Sequence, residues 1–288
     1  MTAPHRQQAP YRPGGADAHP SYESPIAIRR AHLGDALASE WTKIRSVRST
    51  MWTLGVMTVV VAGLGVLLAF LVAIGGDQSE PPAEETGSVL SLGMVGMMLG
   101  SVCVITLGVL TITSEFGTGL VRTTLTACPS RGRVLVAKSV VFFLLVFVLT
   151  TVVGTAVAMA QTTIVGTDGS ATDGDWLRAT VGVGLYMALL GLLSLAVGAL
   201  LRHSAGAITT MIGLMLLPFV LAISMYTESL ADLRNALIEY SIPNQLAVLY
   251  DSGTSFGGPT AWEPLLIMAA VTAVALGGAF LSLTRRDV

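Results

Sequence analysis

Six stretches of the chain carry no Lys, Arg, Asp or Glu: 49–76, 86–114, 139–167, 179–201, 203–227 and 264–284. Each supplies the ~20 apolar residues with which an α-helix, rising ~1.5 Å per residue, crosses a hydrocarbon core ~30 Å thick. Lipid offers the backbone no hydrogen-bond partners, so apolar runs this long are helices and not the short alternating strands of an outer-membrane barrel. The fold class that follows is an all-α polytopic membrane protein. Its spans are expected at about 52–74, 89–113, 139–162, 179–201, 206–226 and 264–283. Residues 31–288 form the membrane domain on this reading, and 1–30, rich in Pro, Gly and Gln without an apolar core, are expected to be a disordered cytoplasmic tail rather than a signal peptide.

The positions of the charges set the expected topology. Of 16 Lys and Arg, only Arg178 and Arg234 fall in the connections after the first, third and fifth spans, whereas 12 of the 18 acidic residues lie there. Basic residues flanking spans stay in the cytoplasm, and Lys43, Arg45 and Arg48 stand closest to the first span. Both termini are therefore expected inside, in a bacterial plasma membrane. Cys103 lies within a span and Cys128 in a cytoplasmic connection, a placement that argues against a disulfide, and no His or carboxylate stands at metal-ligand spacing from either thiol.

Ahead of the first span, Leu33, Leu37, Trp41, Ile44 and Val47 recur at helical spacing, with Asp35, Ser39, Lys43 and Ser46 opposite. This pattern predicts an amphipathic helix lying in the membrane interface, with Trp41 at the headgroup boundary and Lys43, Arg45 and Arg48 toward anionic lipid. The longest cytoplasmic connection, 114–138, is SEFGTGLVRTTLTACPSRGRVLVAK. Glu115 follows directly on the second span, where a carboxylate needs a partner, and Arg122 lies two helical turns on. A short helix over 116–125, broken by Pro129 and Gly132, fits the loop.

The Ser39–Ser46 run with its Glu40, Trp41, Lys43, Ile44 and Arg45, together with a Glu-x-x-x-Gly…Arg…Pro-x-x-Arg…Lys pattern beyond the second span, resembles the permease subunits of ABC type-2 exporters, above all those of high-GC Gram-positive bacteria. The resemblance covers roughly 30–288. It implies that the loop touches a separate ATP-binding cassette ATPase, with Glu115, Gly117, Arg122, Pro129, Arg131 and Lys138 at the matching positions. A second copy of the chain or a related permease is implied as well. Cofactors are expected to be absent from this chain, ATP being bound by the partner, and nucleic acid is not an expected ligand.

Residues 132–139, GRVLVAKS, approach a phosphate-binding loop but carry Ala137 at the second glycine position and lead into a span rather than following a strand. Charge-free span interiors argue against a proton- or ion-coupled carrier and for a hydrophobic or amphipathic cargo. Two other classes stand beside the permease: an intramembrane enzyme, for which the spans lack a nucleophile with a His or carboxylate partner, and a membrane anchor or sensor without transport. Gly93, Gly96 and Gly100 mark a close-packing face suited to the bundle interior or to a dimer seam. Pro218 is expected to kink the fifth span or lie near its outer third, Gln161, Thr162 and Thr163 to polarise the outer end of the third, and His203 to sit in an interfacial turn. The segment 227–263 reads either as short helices dipping into the outer leaflet or as a lid packed on the span ends.

Overall fold

The computed structural model describes residues 32–75, 88–119, 131–166, 171–225, 227–250 and 258–285. The tail 1–30 and the loop residues Arg122, Cys128 and Pro129 lie outside them. Among the described residues there is no strand, and six helices are long and apolar enough to span a bilayer. The helices are α1 (Leu33–Ser46), α2 (Arg48–Gly75), α3 (Gly93–Thr118), α4 (Arg131–Val165), a short α5 (Asp173–Leu177), α6 (Val183–Leu201), α7 (Ser204–Ser224), α8 (Ala231–Glu239), α9 (Ile242–Leu249) and α10 (Glu263–Arg285). A π turn over Arg178–Gly182 joins α5 to α6, making Asp173–Leu201 one span.

α6 is the axis of the bundle. In its most apolar window 78% of the residues are buried, against 22% in α2, α7 and α10, whose outward faces carry residues such as Val59, Leu217 and Val274 that suit lipid. Lipid tails are as apolar as these side chains, so burial alone does not drive the helices together; close packing does. Small residues make that packing possible. A methyl group on Gly108 of α3 would lie 2.5 Å from the Gly191 carbonyl oxygen of α6, and one on Gly191 would lie 2.8 Å from Phe142. Gly96 and Gly100 likewise meet Val61 of α2 at 2.8 and 2.7 Å, so the glycine face of α3 packs inside the bundle. Gln161 of α4, fully buried, donates its amide to the Gly65 carbonyl of α2 at 3.1 Å, while Thr162 and Thr163 return their hydroxyls to their own helix.

Three boundaries depart most from the sequence expectation. The second span continues as helix to Thr118, the fourth span begins at Asp173, six residues before the expected 179, and α4 begins at Arg131, eight residues before the expected start at 139. At ~1.5 Å per residue the 35 residues of α4 run for about 52 Å, well beyond a hydrocarbon core. Hydrophobicity marks where lipid begins, not where a helix begins, and the extra turns at this end carry the polar residues. His203 is an N-cap: its Nδ1 accepts the Gly206 N–H at 3.0 Å and starts α7 directly after Arg202, which closes α6 with φ 53°. Pro218 falls in the last third of α7.

In 227–263 the two small helices behave differently. α8 buries no residue, with Leu233 and Tyr240 exposed. α9 is driven into the span ends, where Ile242, Asn244, Gln245, Leu246, Ala247 and Leu249 are buried. Its Gln245 amide donates to the Tyr240 carbonyl at 2.8 Å, and Gln245 Oε1 accepts the buried Tyr186 hydroxyl of α6 at 3.3 Å. α9 is thus the packed lid, and α8 lies over α7 at the surface.

The contact between α3 and α6 gives the first prediction. Gly108→Val should destabilise the bundle by ~1–3 kcal/mol through overpacking against backbone that cannot yield. Gly63→Val, at a position with nothing within 4 Å of the added carbon, should cost far less. Thermal unfolding of the two purified variants in detergent measures the difference.

Candidate functional site

The end of the bundle that holds α1, the close of α3 and the opening of α4 gathers four charges in one cluster, three of them buried. α1 begins at His32, whose backbone N–H is taken by Asp35 at 3.0 Å, and packs mainly on α4. Its buried residues are Glu40 and Ile44, with Leu37 and Lys43 half-buried. Lys138 rises from the second turn of α4 and Glu115 from the last turn of α3.

These four side chains close a ring. Lys138 Nζ lies 2.7 Å from Glu40 Oε2 and 2.9 Å from Glu115 Oε1, and Lys43 Nζ lies 2.7 Å from Glu40 Oε1 and 3.0 Å from the same Glu115 oxygen. Each ammonium therefore bridges both carboxylates, and the formal charge of the ring is zero. Lys138 spends a further donor on the Thr111 carbonyl at 3.4 Å. Glu40 and Lys138 are only 2% and 3% exposed, a placement tolerable for ions only when each is paired and hydrogen-bonded. Lys43 closes the ring at its rim, with its side chain 37% exposed.

The protonation equilibria reflect this pairing. Burial works against the charge of Glu40, but Lys138 first and Lys43 after it outweigh that cost and hold the carboxyl below its ordinary 4.5. Burial likewise disfavours the Lys43 ammonium, and its bonds to Glu40 and Glu115 prevail, raising it above 10.5. Beside the ring, the Arg202 guanidinium lies over the Phe116 ring, 5.2 Å from its centroid, tying the α6–α7 turn to the end of α3.

The sequence expectation is corrected here at Lys43. Lys43 was expected opposite the apolar stripe, facing headgroups; it turns inward because two carboxylates wait there. Trp41, Leu33 and Val47 of that stripe are exposed, and the face of α1 turned to the bundle is that of Glu40 and Ile44. Glu115 has Lys43 and Lys138 as partners among the described residues, and the Arg122 that spacing offers it lies outside them. Of the other loop residues, Gly117 is helical with open space around it, Arg131 opens α4, and Arg122 and Pro129 are outside the described residues. Arg45 is exposed on α1. Residues 132–139 are the first turns of a continuous helix, and the lysine of that motif belongs to the ring. One signal was available: Glu40 stands between Leu37 and Ile44 at helical spacing, a carboxylate set into an apolar face.

A family model described as ABC-2 family transporter protein matches residues 37–288, taking in all four ring residues and all six spans. The chain belongs to the ABC-2 family. It is thus the permease component of an ABC transporter, and membership implies an ATP-binding cassette partner. Comparison with curated proteins gave no match. Within this permease the ion ring has a definite position: it joins the two helices that flank residues 120–130, and it fastens α1 to both.

The ring yields two predictions. Lys138→Met leaves two buried carboxylates with one cation and should cost about 3–5 kcal/mol, whereas Glu40→Gln combined with Lys138→Met should cost less than the sum of the singles. Chemical unfolding of the four proteins in detergent closes that cycle. The second concerns pH. Because the Glu40 pKa is depressed, its contribution is present above 4.5 and is lost as the pH falls through the lower folded value. The gap in melting temperature between the parent and Glu40→Gln should therefore be constant near neutrality and close in that acidic window.

Proposed function

We propose that this permease moves a hydrophobic or amphipathic substrate out of a bacterial cell, using ATP hydrolysed by a separate subunit that docks on 114–138. The observation that carries the reading is the ion ring. Glu115 lies three residues before the end of α3 and Lys138 seven residues into α4, so the connection between those helices is clamped at both roots. A displacement applied to 120–130 changes the Glu115–Lys138 separation, and the same two groups hold α1 through Glu40 and Lys43. Coupling between proteins needs an element with a defined arrangement that both can bias, and a neutral ring of buried ions is stiff against small displacements yet able to re-pair.

The asymmetry of basic residues supports a cytoplasmic ring end, with both termini inside and α8 and α9 outside. Two copies of the chain, or this chain with a related permease, would line the path between bundles. The charge-free spans support a cargo with substantial apolar surface.

The test is reconstitution with the candidate ATPase. Lys138→Met and Glu115→Gln, restricted to variants that still insert and fold, should leave hydrolysis by the partner measurable while substrate movement falls at least ~10-fold, the equivalent of ~1.4 kcal/mol of lost coupling. A photo-crosslinker at Thr118, exposed at the end of α3, should capture the ATPase. ATP hydrolysis by the permease alone, or full transport with no crosslink, overturns the reading.

A further inference from the structure

The inward turn of Lys43 leaves the outer face of the α1–α2 corner with a different set of cations. Arg45 and Arg48 make no ion pair among the described residues and are exposed. Val47, with φ −82° and ψ 111°, is the one extended residue between the two helices. On its N-terminal side a crevice of about 370 Å³ is lined by Trp41, Thr42, Arg45 and Ser46. It offers a guanidinium and an indole, the Thr42 and Ser46 hydroxyls donating to the Ala38 and Lys43 carbonyls of their own helix. On the C-terminal side, a groove of about 540 Å³ is lined by Met51, Trp52, Gly55, Val56, Val59 and Val60, all apolar.

The two surfaces match the two halves of one amphipathic molecule. From Met51 to Val60 the groove runs along α2 for ~14 Å at ~1.5 Å per residue, which is half of a ~30 Å hydrocarbon core and so the depth of one leaflet. Gly55 opens it: nothing lies within 4 Å of where its side chain would be. Trp52, 75% exposed, and Trp41, 50% exposed, sit where indoles favour the boundary between headgroup and chain. Arg45 supplies a planar donor suited to a phosphate, since guanidinium binds that group in bidentate fashion. Among the described residues the lining of the crevice includes no carboxylate to compete for it.

We propose that the α1–α2 corner is a binding site for one anionic phospholipid, its phosphate on Arg45 and an acyl chain along Met51–Val60. The lipid is a resident ligand of the permease surface rather than cargo: it sits on the outward face of α2, opposite Met57 and Val61, which pack into the bundle. Arg45 stands two residues from Lys43 on another face of the same helix, so occupancy of the site bears on how α1 is seated over the ion ring.

Native mass spectrometry of the full-length permease, delipidated in detergent and titrated with dioleoyl phosphatidylglycerol or dioleoyl phosphatidylcholine, tests this site. Phosphatidylglycerol should bind one copy per chain at least ~5-fold more tightly. Arg45→Gln should abolish that preference, and Arg234→Gln, an equal loss of charge on α8, should leave it intact. Val56→Trp, which fills the groove on a lipid-facing position, should weaken both lipids. Soluble glycerol 1-phosphate should not compete; competition at concentrations comparable to the lipid would mean a free-anion site and overturn the proposal. Equal binding of the two lipids, or a preference that survives Arg45→Gln in a variant with unchanged far-ultraviolet circular dichroism, would overturn it as well.

Discussion

An ion buried at the edge of a membrane must bring its own counter-ion, and that requirement organises the basic end of this protein. Glu40, Lys43, Glu115 and Lys138 come from three helices distant in sequence, and none can sit where it does unless the others are present. The ring therefore fixes more than a local contact. It sets the rotation of α1 about its axis, the length to which α4 must extend beyond the bilayer, and the distance between the roots of the connecting loop. A hydrophobic seam would hold α1 with similar strength, but it would tolerate sliding; four charges with alternating sign tolerate few registers.

The bundle behind the ring is held by another kind of force. Around α6, backbone approaches backbone at Gly108, Gly191 and Gly198, and the gain is dispersion rather than charge. Such contacts are short-ranged, so they resist separation strongly over fractions of an ångström and little beyond. The helices most exposed to lipid, α2, α7 and α10, make fewer of them. α2 is joined to α1 across a single extended residue, so a rotation of α1 at the ring reaches the lipid-facing side of the bundle before it reaches the α6 axis.

What the sequence made legible follows from the length scale of each force. Spans were readable because a bilayer demands ~20 apolar residues in succession, and all six appear, the largest departures being the early starts of the fourth span at Asp173 and of α4. That start was missed because Arg131 to Lys138 are polar enough to look like loop, while their helix is stabilised by partners in α1 and α3 that lie far away in sequence. The helix before the first span was likewise readable, but not the face it turns to the bundle. Counting apolar residues picked out the stripe of Leu33, Trp41 and Val47 for lipid, and gave no sign that Glu40, Ile44 and part of Lys43 would be buried against the neighbouring helices. Glu115 was recognisable as a charge in need of a partner. Its partners, one 72 residues before it and one 23 residues after it, were beyond local spacing rules, which offered only Arg122.

The two ends of the bundle are consequently sealed by interactions that answer to different signals. At the basic end the seal is ionic, and it responds to any charge or displacement delivered to the loop roots, because moving one ammonium by an ångström re-weights both of its carboxylates. At the opposite end the seal is α9, held by apolar burial and by neutral hydrogen bonds through Gln245 to Tyr186 and Tyr240, with Tyr250 packed against Gly93. Burial pushes the Tyr250 hydroxyl well above its ordinary pKa, so the hydroxyls and amides that hold α9 stay neutral over the physiological range. α6 spans both ends, carrying Tyr186 near one and Arg202, whose guanidinium lies over Phe116 next to Glu115, just past the other. Coupling between two sites is reciprocal, so any free energy by which a change of pairing at the ring strains the Tyr186–Gln245 contact is the same free energy by which a change at the lid acts on the ring.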